Sequence, residues 1–388
     1  MDNIAIIITK LNGGGAERCA ANLSIELSKQ YNVFLIVFDG SDITYPYGGK
    51  LINLNLPDSS SSIKRYLNVL KRANLVRKIK KANKISCSIS LLDGPNLVNA
   101  LSRCGEKTIV SIRNRLSSEY VNSLRRKLII FSSMKTDLTV CLSKMVEKDM
   151  HEVFGIPNSK LTTIYNHVDA QLLHDLVQNS DKPSFIDDDN VYITTMGRLN
   201  EQKGQWHLLR AFPLVLEAIP EAKLVIMGEG ELEDELKKLA KSLNIEEKVI
   251  FTGYIKNPHN VLLYSEMFVF PSLFEGLGNV LLEALAFNMP IVSADCIAGP
   301  REILAPDTDL NTKLNDIEYA KYGVLVPTLD IGHFNAEDAL SSQEICLANA
   351  IIELHKNGIL REDYINKAGE RLKTFEKERI IEQWKAVF

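Results

Sequence analysis

Short apolar, β-branched runs alternate with segments of helical spacing, and in these 388 residues the alternation begins twice. Few folds accept this pattern, because strands buried on both faces read as continuous apolar runs and parallel neighbours need a helical crossover between them. In the first half, strands are predicted at residues 4–8, 33–38, 87–92, 108–112, 138–141 and 161–164, with a helix over 16–29 that puts Ala16, Ala20, Leu23 and Leu27 on one face. A polar stretch at 178–190, holding Pro183 and Asp187-Asp188-Asp189, reads as a surface connection. The second series has strands at 192–196, 224–227, 249–251, 267–270 and 291–293, with helices at 205–218, 231–243 and 279–287. Helical stretches at 342–356 and 363–384 close the chain. The expected architecture is α/β: two Rossmann-like, doubly wound domains facing each other across a cleft, their ligands outside the carboxyl ends of the strands. The expected domains are residues 1–168, residues 169–371 and a helix at 372–388 packing back on the first domain.

Composition narrows the class. Hydrophobic residues make up 45% of the chain and charged residues 24%, which excludes collagen-like and low-complexity chains. The six cysteines (Cys19, Cys87, Cys104, Cys141, Cys296, Cys346) show no C-x-x-C spacing, so reduced thiols are expected rather than a zinc site or a disulfide framework. The apolar runs fall short of the roughly 18–20 residues of a membrane-spanning helix, and Met1-Asp2-Asn3 opens no secretory signal. The expected location is cytoplasmic. Charge is unevenly divided: residues 1–168 carry +11 and the remainder −15. That asymmetry suggests that one half faces an acidic partner.

Three loops carry the chemistry. The first holds Gly13-Gly14-Gly15 between a strand and a helix, where Gly14 and Gly15 either let a ligand approach a helix N-terminus or make a tight turn. The second, after the strand at 192–196, runs Gly197-Arg198-Leu199-Asn200-Glu201-Gln202-Lys203-Gly204. Arg198 and Lys203 suit a diphosphate, the guanidinium gripping two oxygens and the ammonium adding a point charge, unless they are exposed cations on a solvated turn. The third is Glu275-Gly276-Leu277-Gly278-Asn279 leading into a helix that carries Glu283. The two glutamates would stand about 12 Å apart along the axis, with the helix amides between them. That spacing suits a nucleotide sugar, one acid on hexose hydroxyls and the other on ribose, while a solvated helix face is the plain alternative. Asp187 and Asp189 would suit a divalent ion at a diphosphate, but they lie in the polar connection, and no metal site is expected.

In order and spacing these elements, together with Gly13-Gly14-Gly15-Ala16-Glu17-Arg18, Ile164-Tyr165-Asn166, Gly228-Glu229-Gly230 and Ala298-Gly299-Pro300-Arg301-Glu302-Ile303, resemble a family 4 glycosyltransferase of the GT-B fold over nearly the whole chain. The resemblance implies transfer with retention of anomeric configuration, with Arg198 and Lys203 on the donor diphosphate, Glu275 on donor-sugar hydroxyls and Glu283 on the ribose. It implies that the backbone at Gly276, Leu277, Gly278 and Asn279 touches phosphate and sugar, and that Gly253, Tyr254 and Ile255 lie at the base. Many relatives carry a His after the strand at 108–112, where this chain reads Arg113-Asn114. These two either replace the His contact to donor or acceptor or solvate the loop. No protein nucleophile is visible, which favours front-face attack with Arg198, Lys203 and the loop amides stabilising the departing diphosphate.

Residues 62–84 contain Lys64, Arg65, Lys71, Arg72, Arg77, Lys78, Lys80, Lys81 and Lys84 and no acid, with apolar residues at helical spacing. A basic amphipathic helix is predicted, reinforced by Arg125-Arg126-Lys127. It suits an anionic membrane surface, or else simply covers the sheet with its outer face charged. Nucleic acid is not expected, since aromatic residues are not interleaved beyond Tyr66. Together these readings predict transfer of a hexose or N-acetylhexosamine from a UDP-sugar to a glycan acceptor carried on a lipid diphosphate, at the inner face of the cytoplasmic membrane. The resemblance points to capsule, lipopolysaccharide or lipid-linked oligosaccharide assembly. A nucleotide-sugar epimerase of the same fold and a non-catalytic nucleotide-sugar-binding scaffold subunit are the alternatives.

Overall fold

The computed structural model describes residues 1–58, 62–118, 122–178, 180–332 and 335–388. The chain forms two compact units, one of Met1–Asn166 with Glu378–Phe388 and one of His167–Lys377.

The first unit is built on seven strands, β1 (Asn3–Ile8), β2 (Asn32–Val37), β3 (Lys50–Asn53), β4 (Cys87–Leu91), β5 (Lys107–Ile112), β6 (Leu138–Cys141) and β7 (Leu161–Thr163), in the order β3-β2-β1-β4-β5-β6-β7. All pair in parallel. Alternation along β1 sorts the core. Ile4, Ile6 and Ile8 meet Ala20, Leu23 and Leu27 of the helix Gly15–Ser28, with Ile380, Ile381 and Trp384 of the helix Lys377–Ala386 in the same cluster. Ala5 and Ile7 join the other face with Ala73 and Val76 of the helix Ser62–Ala82 and Val98 of the helix Asp93–Leu101.

The second unit has β8 (Val191–Met196), β9 (Ala222–Met227), β10 (Val249–Phe251), β11 (Met267–Phe270), β12 (Ile291–Ala294), β13 (Glu318–Ala320) and β14 (Gly323–Val326), in the order β10-β9-β8-β11-β12-β14-β13. Every pairing is parallel except β13 with β14. Both units are therefore Rossmann-like and doubly wound, as the strand and helix alternation requires.

Three features depart from the expected elements. β3 is a half-exposed edge strand of four residues, too short to register as a periodic run. β13 and β14 form a hairpin around Lys321-Tyr322, which carries none of the glycine or asparagine signals of a two-residue turn. The helix expected over 363–384 is broken. It ends at Leu372, passes through a short turn at Lys373–Phe375 and restarts at Lys377. Phe375 is fully buried under the Arg371 guanidinium, and its carbonyl accepts from the Val168 amide, so tertiary packing decides the break. Among the described residues no helix is long and apolar enough to cross a membrane.

Candidate functional site

In the second unit the strand order reverses between β8 and β11, and at such a switch point the loops leaving the two strands diverge and open a crevice. Those loops are Gly197–Gly204 and Pro271–Gly278. They are stitched together: the Leu273 amide donates to the Gln202 carbonyl (2.8 Å), and the Gln202 side chain donates to the Phe274 carbonyl (2.9 Å). Gly204 opens the helix Gln205–Ala218 at φ +60°, and a Cβ there would stand 2.4 Å from the Pro271 carbonyl oxygen. Only glycine allows that approach.

This stitching brings two of the expected residues into contact. Lys203 Nζ lies 2.5 Å from Glu275 Oε1, although 72 positions separate them in sequence. Their side chains are 18% and 8% exposed, so the pair is largely shielded yet open on one side. The ammonium also lies 5.4 Å from the centre of the Phe270 ring. Arg198, on the same loop, is exposed, and its guanidinium has no partner among the described residues. Its carbonyl accepts from the Gln205 side chain at 3.1 Å, which fixes the backbone and leaves the side chain available.

Gly276, Leu277 and Gly278 are buried, and Gly278 caps the helix Asn279–Ala286 in the left-handed region at φ +83°. The first helical amides have no intrahelical acceptor and carry the positive end of the helix dipole. Gly299, at φ +105°, packs so closely that its Cβ would meet the Leu277 carbonyl at 2.0 Å, so the segment after β12 buttresses this turn. Glu283 lies farther along the helix. Its Oε2 is 2.9 Å from Nε2 of His259, a histidine that no motif singles out and that stands 24 positions away along the chain.

Gly253, Tyr254 and Ile255 follow β10 at the same edge of the sheet. The Gly253 carbonyl accepts from the Gly228 amide (3.0 Å) and the Tyr254 amide donates to Glu229 Oε1 (3.1 Å), while the Tyr254 ring is 74% exposed. Asp187 and Asp189 occupy the exposed connection. The hydrogen bond from Asn190, joined by those from Lys223 and the Asp189 amide, outweighs the upward push of desolvation and holds the Asp187 carboxyl down at about 2. Among the described residues no group of three or more His, Cys, Asp or Glu is arranged to hold a metal ion.

The remaining candidates belong to the first unit. Gly14 is the N-cap of the helix Gly15–Ser28, its amide bonded to the Asn12 carbonyl. Arg113, just past β5, is buried and donates to Ser111 Oγ (3.3 Å) and to Asn166 Oδ1, while Asn114 is exposed.

The basic helix Ser62–Ala82 requires a correction. Arg72 and Lys80 do not face solvent. Arg72 donates to the Leu56 carbonyl, pairs with Asp58 at 2.9 Å and lies 4.3 Å over the Phe38 ring. Lys80 is locked to Glu106 Oε1 (2.6 Å) and Asn99 Oδ1 (2.7 Å) beneath the helix. Both fall at spacings that turn toward the sheet, where a cation needs a built partner. Lys64, Lys71, Arg77, Lys78 and Lys81 are exposed, as are Tyr66, Leu67 and Leu70, and the Arg65 side chain lies outside the described residues. Arg125 and Arg126 are engaged by Asp93 and by the Val153 carbonyl.

Residues 13–172 match the family described as Glycosyltransferase Family 4, and residues 177–317 match Glycosyl transferases group 1. An uncharacterized glycosyltransferase of Methanocaldococcus jannaschii is 34% identical over 82% of each chain. The N-acetylgalactosamine-N,N'-diacetylbacillosaminyl-diphospho-undecaprenol 4-alpha-N-acetylgalactosaminyltransferase of Campylobacter jejuni is 31% identical over 98% of this chain and 97% of its own. Among solved structures, Anabaena HepE in complex with UDP superposes with a TM-score of 0.73 at 16% identity, covering 100% of this chain and 99% of that one. Sucrose-phosphate synthase of Thermosynechococcus elongatus gives 0.76 at 15% identity, covering 100% and 98%.

Proposed function

This chain belongs to the family 4-type glycosyltransferases of the GT-B fold, and from that membership we propose that it moves a hexose or N-acetylhexosamine from a UDP-sugar to a glycan carried on a lipid diphosphate, with retention of configuration. The observation that carries this reading is the pairing of Lys203 with Glu275 at the switch point, with the unpartnered Arg198 guanidinium on the same loop. In this reading Gly14 and Gly15 serve donor binding, and Arg113 and Asn114 serve the acceptor or the sugar.

The chemistry follows from charge. Breaking the anomeric carbon–oxygen bond leaves negative charge on the departing diphosphate, and groups aimed at that position lower the barrier without reorganising. Arg198 and Lys203 supply positive charge there, and the amides at Gly276, Leu277, Gly278 and Asn279 supply dipoles. Glu275 does two jobs: it fixes the Lys203 ammonium and accepts from donor-sugar hydroxyls. Glu283 accepts from the ribose hydroxyls, and Gly253, Tyr254 and Ile255 border the base. The acceptor hydroxyl attacks the face the diphosphate leaves, and its proton passes to the departing phosphate oxygen, so no protein nucleophile is required. Charge neutralisation is assigned to the two cations and not to a divalent ion.

The uridine donor is supported by the UDP in the HepE complex, and the lipid diphosphate acceptor by the name of the Campylobacter relative. The exposed Lys64, Lys71, Arg77, Lys78 and Lys81, beside exposed Tyr66, Leu67 and Leu70, favour work against an anionic membrane, read as the inner face of the cytoplasmic membrane.

The test is turnover of a UDP-sugar panel with an undecaprenyl diphosphate-linked glycan. Arg198→Ala and Lys203→Ala should each lower kcat by about 100-fold or more while changing donor KM by less than about fivefold, because their interaction grows as the bond breaks. A loss confined to KM would overturn the leaving-group role. Rearranged free sugar released without acceptor would replace transfer by epimerisation.

A further inference from the structure

Glu283 sits within the helix Asn279–Ala286, and a glutamate there has three rotatable bonds with which to leave the site for solvent. His259 is one group that holds it. The histidine begins the short helix His259–Leu262 and is 4% exposed, and its Nε2 lies 2.9 Å from Glu283 Oε2. Its other ring nitrogen, Nδ1, is buried without a partner, so the bonds assign the hydrogen to Nε2, where it is donated to the carboxylate.

The ring is itself held. It stacks on Phe287 with centroids 5.7 Å apart and planes at 18°, and Phe287 also meets the His174 ring at 4.8 Å. His174 Nε2 lies 2.8 Å from the Ala286 carbonyl oxygen, at the end of the helix that carries Glu283. One framework of two imidazoles and a phenyl ring thus fixes both the helix end and the direction of the carboxylate. A buried donor with no other acceptor, aimed at a carboxylate on the edge of the site, is more than packing requires, since leucine would fill the space without the unsatisfied Nδ1.

We infer that His259 is a positioning residue: its bond to Glu283 sets the direction of the carboxylate that meets the vicinal hydroxyls of the donor's ribose, so the pair sets the preference for a ribonucleotide over its 2'-deoxy counterpart. This rests on the ribose role given to Glu283 in the proposed function. A site built to pair a hydroxyl rejects the analogue that lacks it, because its own polar group is then left unpaired.

Titration calorimetry of the full chain with UDP, GDP and ADP and their 2'-deoxy forms tests this. The wild type should favour the ribose form of the nucleotide it binds by about 10-fold or more, and Glu283→Ala should lose that preference. His259→Phe keeps an aromatic ring on Phe287 but removes the donor, and should cut the preference to about threefold or less with 2'-deoxy affinity unchanged. His259→Gln, whose amide nitrogen reaches the place of Nε2, should restore most of it. His259→Asn, whose amide is too short, should not. Unchanged 2'-deoxy affinity shows each variant folded. Preference lost in Glu283→Ala but intact in His259→Phe and His259→Asn overturns the role of His259 alone. Preference retained in Glu283→Ala, or no binding of any ribonucleotide, overturns the ribose assignment and this inference with it.

Discussion

Lys203 was legible as a cation on a strand-to-helix turn, but its partner was not: nothing in a sequence ties it to an acid 72 positions on, and only the joined loops bring Glu275 to it. Glu344 makes the same point away from the site. It bonds His207 Nδ1 (2.8 Å), Arg210 Nε (2.8 Å) and the Ser341 amide (2.9 Å) at the start of the helix Ser342–Lys356. Burial pushes this carboxyl up, but the His207, Arg210 and Ser341 bonds outweigh it and hold it down at about 2. The unfolded carboxyl titrates near ~4.3, so the folded state binds its proton less readily and gains stability above that value. That gain should disappear as pH falls from about 4.3 toward 2. Melting temperatures across this range should fall less steeply for Glu344→Gln than for the wild type. An unchanged slope would show that the acid transition has another source.

At the scale of elements, the helix Gln205–Ala218 was readable to both ends, because its apolar spacing begins directly after a glycine and stops where the pattern stops. The helix after it in importance, Gly358–Leu372, was not separable from Lys377–Ala386, since both share one apolar period and the break is imposed by the burial of Phe375. The switch-point loops depend on a backbone approach that a side chain would block. Gly204→Ala adds a Cβ 2.4 Å from the Pro271 carbonyl at a positive φ. It should cost about 1–3 kcal/mol in urea unfolding and lower turnover by displacing Lys203. Gly94→Ala is the control. That helical position is open, with nothing within 4 Å of the added atom and no positive φ, so the change should stabilise by about 0.4–1 kcal/mol with turnover unchanged. Equal effects of the two would remove the steric argument.

At the scale of the whole molecule, charge and chain path matter most. The first 168 residues carry +11, and the exposed cations of the helix Ser62–Ala82 concentrate part of that charge on one surface. If that surface works at a membrane, the protein should float with anionic vesicles at low salt and be released as salt rises, each cation near the surface contributing about 1 kcal/mol. Lys71→Glu with Lys78→Glu and Lys81→Glu should abolish flotation, whereas Arg72 and Lys80 are inward and belong to stability. Flotation by the triple variant would place the contact elsewhere. The chain also crosses between the units twice, near residues 166 and 377, and ends with Ile380, Ile381 and Trp384 in the first unit's core. Local order was enough to determine the two doubly wound sheets, the loops that follow their strands, and the glycines and charged residues those loops carry, because hydrophobic period and turn chemistry act between near neighbours. Which cations turn inward, which acid each cation meets, where the last helix breaks and that His259 stands against Glu283 were decided by tertiary packing, because burial and pairing depend on what lies across space and not along the chain.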